Sequence, residues 1–172
     1  MEDQARVLWL TGLSGAGKST LADALLSRLR SEGSSAVRLD GDDLRTGLNS
    51  DLGFSADDRT ENLRRSAHVA RLFAKLGHTV VCSFITPLNA DRAMVREILG
   101  GQYMEVYVKT SLAECERRDP KGLYLKARSG AIANFTGITS PFEEPDSPDL
   151  VLDTECLSID QAVEQLSSIV RG

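Results

Sequence analysis

Proline is scarce in this chain of 172 residues: there are five, and four of them fall between Pro120 and Pro148. Aromatic side chains make up only 5%, with a single tryptophan. No apolar run approaches the ~20 residues of a membrane-spanning helix, so no membrane span is expected. No secretory leader fits ahead of Gly12, where the first motif begins. Cysteine is limited to Cys82, Cys115 and Cys156, odd in number and without metal-type spacing. That pattern reads as reduced thiols, mostly buried, in a cytoplasmic protein. Positive charge is also short: 20 Lys and Arg stand against 25 Asp and Glu, a formal net charge of −5. A broad basic field of the kind that binds nucleic acid or an acidic membrane is thereby excluded. A local pocket of Arg and Lys around a small anion is not.

What is present is ample for one domain. The chain is 41% hydrophobic and 26% charged, a composition that buries a core without disulfides or structural metal. Short apolar runs alternate with amphipathic stretches. Strands are expected at 6–11, 36–40, 79–85, 103–108 and 150–152. Helices are expected at 18–30, 58–75, 92–99, 112–118 and 159–170. Strand–helix alternation of this kind implies an α/β three-layer sandwich, a parallel sheet covered on both faces. One domain is expected over 1–172, without repeats or a linker. Residues 119–148 break the pattern. They hold the four clustered prolines and three glycines, are rich in Lys, Arg, Asn and Thr, and read as a mobile lid with a short helix near 123–129. A polar loop this long inside a compact domain is usually functional.

The segment Gly12-Leu13-Ser14-Gly15-Ala16-Gly17-Lys18-Ser19 fits G-x-x-x-x-G-K-[ST], with a strand before it and a helix starting inside it. Glycines let the backbone wrap a phosphate with its N–H groups, and the helix N-terminus adds positive potential. Gly12 to Ser19 and the following Thr20 are therefore expected around the phosphates of ATP. Lys18 would neutralise the β- and γ-phosphates, and Ser19 would ligate Mg²⁺. The chain is thus expected to have a P-loop NTPase fold. The loop by itself does not separate a kinase from a hydrolase or a switch protein.

Asp40-Gly41-Asp42-Asp43-Leu44-Arg45 stands where the second strand leaves the sheet. Ligands of open parallel sheets bind at the carboxyl ends of strands. Asp40 is accordingly a candidate for ordering Mg²⁺ or taking the proton of an attacking hydroxyl. Asp42 is a candidate for acceptor contact and catalysis, and Arg45 for a fork on an anionic acceptor. Asp42 and Asp43 also fit the N-cap of a short helical turn.

Longer segments carry a resemblance. Asp40 to Arg45, Asp51-Leu52-Gly53-Phe54-Ser55, Asp58-Arg59-Thr60-Glu61-Asn62-Leu63-Arg64-Arg65, Ser83-Phe84-Ile85-Thr86-Pro87, Cys115 to Tyr124, and Asn134-Phe135-Thr136-Gly137-Ile138 together resemble the adenylylsulfate kinase (APS kinase) family, in order, from about Val7 to Leu152. The resemblance implies a nucleoside-kinase-like P-loop fold and a homodimer. It implies transfer of the γ-phosphoryl group of ATP to the ribose 3′-hydroxyl of adenosine 5′-phosphosulfate (APS), giving PAPS and ADP in sulfate activation. It implies that Phe54 and Phe135 stack on the acceptor's adenine, and that Arg45, Arg59 and Asn62 contact the phosphosulfate. It places the backbone of Ile85 and Thr86, with Lys121 and Asn134, on the acceptor side. It places Arg118 near ATP. A fused ATP sulfurylase domain is not expected, and a separate sulfurylase is the expected pathway partner.

The chain departs from the family pattern at Thr86-Pro87, where the family usually has Ser-Pro, at His68, where a Glu is usual, and at Leu88-Asn89-Ala90-Asp91. The family serine has been treated as a phosphoenzyme position. Direct in-line transfer needs no protein nucleophile, so Thr86 is read as a binding or structural residue, and His68 as structural. The Thr86 change motivates a second reading, a related kinase acting on another modified nucleotide, such as a cytidine diphosphate derivative in surface-polysaccharide assembly. A noncatalytic nucleotide-binding module is a third, opposed by the intact Lys18, Ser19 and Asp40.

Overall fold

The computed structural model describes Arg6–Arg171; Met1–Ala5 and Gly172, the ends of the expected 1–172 domain, lie outside the described residues. Five parallel strands form one sheet in the order β2-β3-β1-β4-β5: β1 (Val7–Thr11), β2 (Ala36–Asp40), β3 (Thr79–Ser83), β4 (Tyr103–Lys109) and β5 (Leu150–Asp153). All five residues of β1 are buried, as a central parallel strand with helices on both faces requires. Alternation along it still sorts the two cores. Leu8 and Leu10 face a cluster built with Leu21, Leu25 and Leu29 of α1 (Lys18–Ser31) and Val163 and Leu166 of α7 (Ile159–Arg171). Val7 and Trp9 face Leu63, Ala67, Ala70 and Ala74 of α3 (Ala56–Lys75) and Val95 and Leu99 of α4 (Asn89–Leu99). The expected three-layer α/β sandwich is the observed one.

Three boundaries shift for local reasons. Helix α3 starts at Ala56, two residues earlier than its apolar period suggests, because the Ser55 hydroxyl caps it by accepting from the Asp58 N–H at 3.1 Å. Helix α4 starts at Asn89, two residues behind Pro87 with Leu88 as its N-cap, instead of at Arg92. Strand β3 stops at Ser83 and not at Ile85. Beyond it the Phe84 N–H still reaches Leu10 O and the Gly12 N–H reaches Ile85 O, but Thr86 turns into the left-handed region (φ 45°) and carries the chain off the sheet. A 3₁₀ turn at Gly100–Gln102 was not anticipated, whereas the short helical turn expected behind the second strand is the one-turn helix α2 (Gly41–Arg45). Its N-cap is Asp40, whose carboxylate accepts from the Asp42 N–H at 2.9 Å, so the capping role sits there and not on Asp42 or Asp43.

Residues 119–148 pack against the body of the protein. They contain α6 (Leu123–Arg128), with Tyr124, Ala127 and Phe135 buried in the α1-side core. Helix α5 (Leu112–Arg118) leads into them. Among the described residues, no helix is long and apolar enough to cross a membrane. Cys82 and Cys115 are buried, Cys156 is exposed, and all three are free thiols.

Candidate active site

The strand order reverses direction at β1, with β3 on one side and β4 on the other. A crevice is expected at the carboxyl ends of strands flanking such a point, and a cleft of about 1310 Å³ lies there. Its floor is the loop between β1 and α1. Gly12 must be glycine because a Cβ there would stand 2.5 Å from the carbonyl oxygen of Val108. Gly17 takes φ 104° as the N-cap of α1 without a side-chain cap, which leaves the first N–H groups of the helix open to a ligand. Helix α1 has no acidic residue in its first turn to compete for that potential.

Lys18, the first residue of α1, is buried and folds back over the loop. Its ammonium donates to Gly12 O at 2.8 Å and Leu13 O at 2.7 Å. Burial lowers its pKa to about 8, with Cys115 and Asp40 pulling it partly back up. Ser19 points the other way. Its hydroxyl donates to Asp40 Oδ2 at 2.8 Å and lies 3.3 Å from the Ser83 hydroxyl. Parallel pairing of β2 with β3 sets Asp40 directly beside Ser83, so two strand ends and a helix start bring three oxygen donors together. Among the described residues no group of three His, Cys, Asp or Glu could hold a metal. The Ser19–Asp40 pair instead suits Mg²⁺, which keeps most of its shell as water and phosphate oxygen and needs only one or two hard protein ligands.

At the other end of the cleft two guanidinium groups meet. Arg45 donates to Gly53 O at 2.8 Å and lies 4.5 Å from the Phe54 ring centroid. Arg59 donates to Phe54 O at 3.0 Å, to Thr136 Oγ1 at 2.8 Å and to Asn134 O. Neither takes part in an ion pair among the described residues. Burial lowers the pKa of both below the usual arginine value, and the charge of Arg45 adds to the effect on Arg59. Two half-buried cations, without an ion-pair partner among the described residues, make this end of the cleft cationic inside an acidic chain.

The remaining expected residues divide. Phe54 is 63% exposed and Phe135 only 8%. Both line the cleft, but Phe135 also packs edge-on against Tyr124 at 5.0 Å. Asn62 is buried and accepts from Asn49 Nδ2 at 2.9 Å. Asn134 is exposed with φ 54°, and its carbonyl is what reaches Arg59. Lys121 pairs with Asp42 across the cleft mouth, so α2 and the 119–148 segment touch. Arg118 donates to Thr154 Oγ1 at 3.0 Å and Thr154 O at 3.2 Å beside the phosphate loop. Gly12 and Leu13 lie beneath the loop and act through the carbonyls that hold Lys18. His68 is exposed on α3, away from the cleft.

Sequence reading passed over Ser83, Trp9, Thr136 and Thr154. The first was quotable only as part of a segment, and its partnership with Ser19 depends on strand register. Trp9 reads as core by alternation, and it does stack on Phe84 at 4.7 Å. Its indole N–H nevertheless donates to Thr86 Oγ1 at 2.8 Å, where Thr86 is almost wholly buried. That bond takes one of the hydroxyl's two lone pairs and holds the side chain against the core. Thr86→Ala is expected to keep turnover within roughly tenfold, since in-line transfer asks for positioning and charge. Leaving the indole N–H unpaired should cost about 1–3 kcal/mol of stability. Denaturant unfolding with steady-state kinetics checks both, and recovery of a phosphothreonine-86 peptide that acceptor discharges would contradict it.

The loop, the adjacent Ser19–Asp40 pair and the cationic far wall define a P-loop phosphotransferase with an anionic acceptor. The family description "Adenylylsulphate kinase" matches residues 4–153, and the chain belongs to that family. It is 54% identical over 160 residues to an adenylyl-sulfate kinase of Paraburkholderia xenovorans, covering 93% of this chain and 89% of that one. It superposes on the Mycobacterium tuberculosis APS kinase CysC in complex with AMPPNP and APS with a TM-score of 0.95 at 48% identity, covering 98% of this chain and 99% of that one. A hexameric APS kinase from Thiobacillus denitrificans gives a TM-score of 0.71 at 34% identity, covering 97% of this chain and 29% of that longer one.

Proposed function

We propose that this chain is an ATP-dependent kinase that phosphorylates the ribose 3′-hydroxyl of APS, giving PAPS and ADP. The observation that carries this reading is the pairing, in one cleft, of a complete phosphate loop with the cationic Arg45–Arg59 surface, which has no ion-pair partner among the described residues, in a chain that matches adenylyl-sulfate kinases along nearly its whole length. AMPPNP, an ATP analogue, and APS are the two ligands of the M. tuberculosis relative.

The residues divide the work as follows. Backbone N–H groups of the loop beyond Leu13 and the Lys18 ammonium hold the triphosphate, and Arg118 flanks it. Ser19 and Asp40 would hold Mg²⁺, which would supply charge neutralisation at the phosphates. Asp40 orients the acceptor hydroxyl and receives its proton, with Asp42 and Lys121 at the rim. Arg45, Arg59 and Asn62 receive the phosphosulfate. Ile85 and Thr86 supply one wall, with Asn134 opposite, and Phe54 and Phe135 stack on the adenine. The 119–148 segment is the lid that closes over both substrates. The chain works as a cytoplasmic homodimer fed by a separate ATP sulfurylase. Free buried thiols and two soluble nucleotide substrates suit that compartment, and oligomers occur among relatives.

Lys18 gives this reading a pH signature. In the free protein it loses its proton near pH 8. Triphosphate beside it favours the ammonium and raises that value again. Just above pH 8, binding of the ATP analogue should therefore take up a proton, and affinity should fall as the pH rises further. Calorimetry in two buffers of different ionisation heat measures the uptake; a binding enthalpy independent of the buffer contradicts it.

The aromatic pair should split in two ways. Phe54→Ala is expected to weaken use of APS by about 1–3 kcal/mol, roughly 5- to 150-fold, without loss of stability, because the ring is exposed. Phe135→Ala should do the same and also destabilise the fold by about 3–5 kcal/mol, because that ring is core. Acceptor kinetics and ATP-analogue binding separate these effects, and wild-type APS kinetics in both variants would end the stacking assignment. Substrate class is tested by incubating the protein with ATP and, in turn, APS, a cytidine diphosphate derivative, or no acceptor. ADP release stimulated by APS is expected; stimulation by the cytidine compound alone would replace the acceptor.

A further inference from the structure

The acceptor wall is held in an unfavourable backbone conformation. Thr86 is β-branched and sits at φ 45°, where such residues are rare, so its surroundings must hold it there. Two donors hold it. Trp9 Nε1 donates to its hydroxyl at 2.8 Å and Arg92 Nη1 to its carbonyl at 2.7 Å, while the Thr11 hydroxyl gives its one proton to the neighbouring Ile85 O at 2.6 Å. Arg92 is only 4% exposed, and its other terminal nitrogen donates to Glu143 O at 2.6 Å and to Asn89 Oδ1. Glu143 belongs to the far arm of the lid segment. That arm is tied to the same wall twice more, through the Glu143 N–H to Pro87 O at 2.8 Å and the Asn89 N–H to Glu143 Oε2 at 2.6 Å.

We propose that Arg92 is a positioning residue for the phosphoryl acceptor, a clasp whose single guanidinium fixes the Thr86 carbonyl of the acceptor wall and the Glu143 carbonyl of the lid arm in one register. The inference rests on the reading of Ile85–Thr86 as the acceptor wall. The choice of arginine fits this role better than a purely stabilising one. Its counter-charge, Glu105, is equally buried in β4 at 3.4 Å from Nε, but Glu105 Oε1 has no hydrogen-bond partner. The pair therefore neutralises charge without fixing geometry. A buried ion pair is seldom a net gain over apolar packing. What arginine supplies that an apolar residue cannot is a rigid planar fork able to donate to carbonyls of two separate segments. Through the Trp9–Thr86 bond, the chain's only tryptophan reports on the same wall.

The test compares wild type with Arg92→Lys, which keeps the charge against Glu105 but cannot span both carbonyls, and with Arg92→Met. Arg92→Lys is expected to raise the APS KM on the order of ten- to a hundredfold, the scale of effect that follows from misplacing a reacting group. The ATP KM should stay within about twofold. Trp9 emission should shift, and amide exchange should quicken together over 84–88 and 142–146. Arg92→Met should show the same pattern more strongly; if it does not fold, Arg92→Lys decides. An unchanged APS KM in Arg92→Lys overturns the proposal. So does a loss spread equally over both substrates and stability, which marks a merely structural residue. If wild type itself ignores APS, the functional reading falls on its own account, and the clasp is decided by whether the two segments lose protection together or one without the other.

Discussion

Lys18→Ala is expected to lower turnover on the order of 10²–10³-fold, the loss that follows removal of one preorganised donor to developing charge. The ammonium is buried against the phosphate loop, 2.7–2.8 Å from two of its carbonyls. It is held in place before any phosphate arrives, so little reorganisation is needed during transfer. The fold should survive, because the core of α1 is made by Leu21, Leu25 and Leu29 and not by this side chain. Steady-state kinetics beside circular dichroism and thermal unfolding give the comparison. Near-normal turnover in a folded variant would remove the phosphate-loop assignment.

Asp40→Asn should be the second large effect, on the order of 10²–10⁴-fold in kcat, the range for a lost general base. The substitution is informative because the structure gives Asp40 two jobs. Its Oδ1 caps α2 through the Asp42 N–H, and its Oδ2 accepts from Ser19. Asparagine caps a helix about as well as aspartate, so α2 and the protein's stability should be retained. What disappears is the charge that Mg²⁺ and the acceptor proton require. An interaction made mainly in the transition state lowers kcat and kcat/KM alike and leaves APS binding nearly intact. A variant that melts earlier yet turns over normally would reduce Asp40 to a cap.

How much of this was readable from sequence depended on how local each signal is. The phosphate loop is a contiguous motif whose strand–loop–helix context is itself sequential, and it appears at β1–α1 as expected. Short apolar runs located every strand, because helices on both faces leave the sheet no solvated side. Helix starts were less legible, since Ser55 and Pro87 act from outside the apolar period. Helix α2 was legible only as a capped turn, because one turn is too short to show a period, and its cap is the same aspartate that chemistry had claimed. The contacts that depend on register or on returning segments were out of reach. The Ser19–Ser83 approach exists because β2 and β3 pair in parallel. The Arg59 bonds to 134–136 exist because the lid segment folds back over α3. Phe54 and Phe135 look alike in sequence, each in a polar stretch near glycine, yet one is exposed and the other packs on Tyr124. Only the folded chain separates an exposed ring under Arg45 from one that belongs to the core.

The most direct measurement on the central claim is the mass and phosphate position of the product formed from ATP, Mg²⁺ and APS. The account predicts one added phosphoryl group on the ribose 3′-oxygen, with one ADP formed for each. Phosphate on any other atom, ADP released at the same rate without acceptor, or APS recovered unchanged would contradict it.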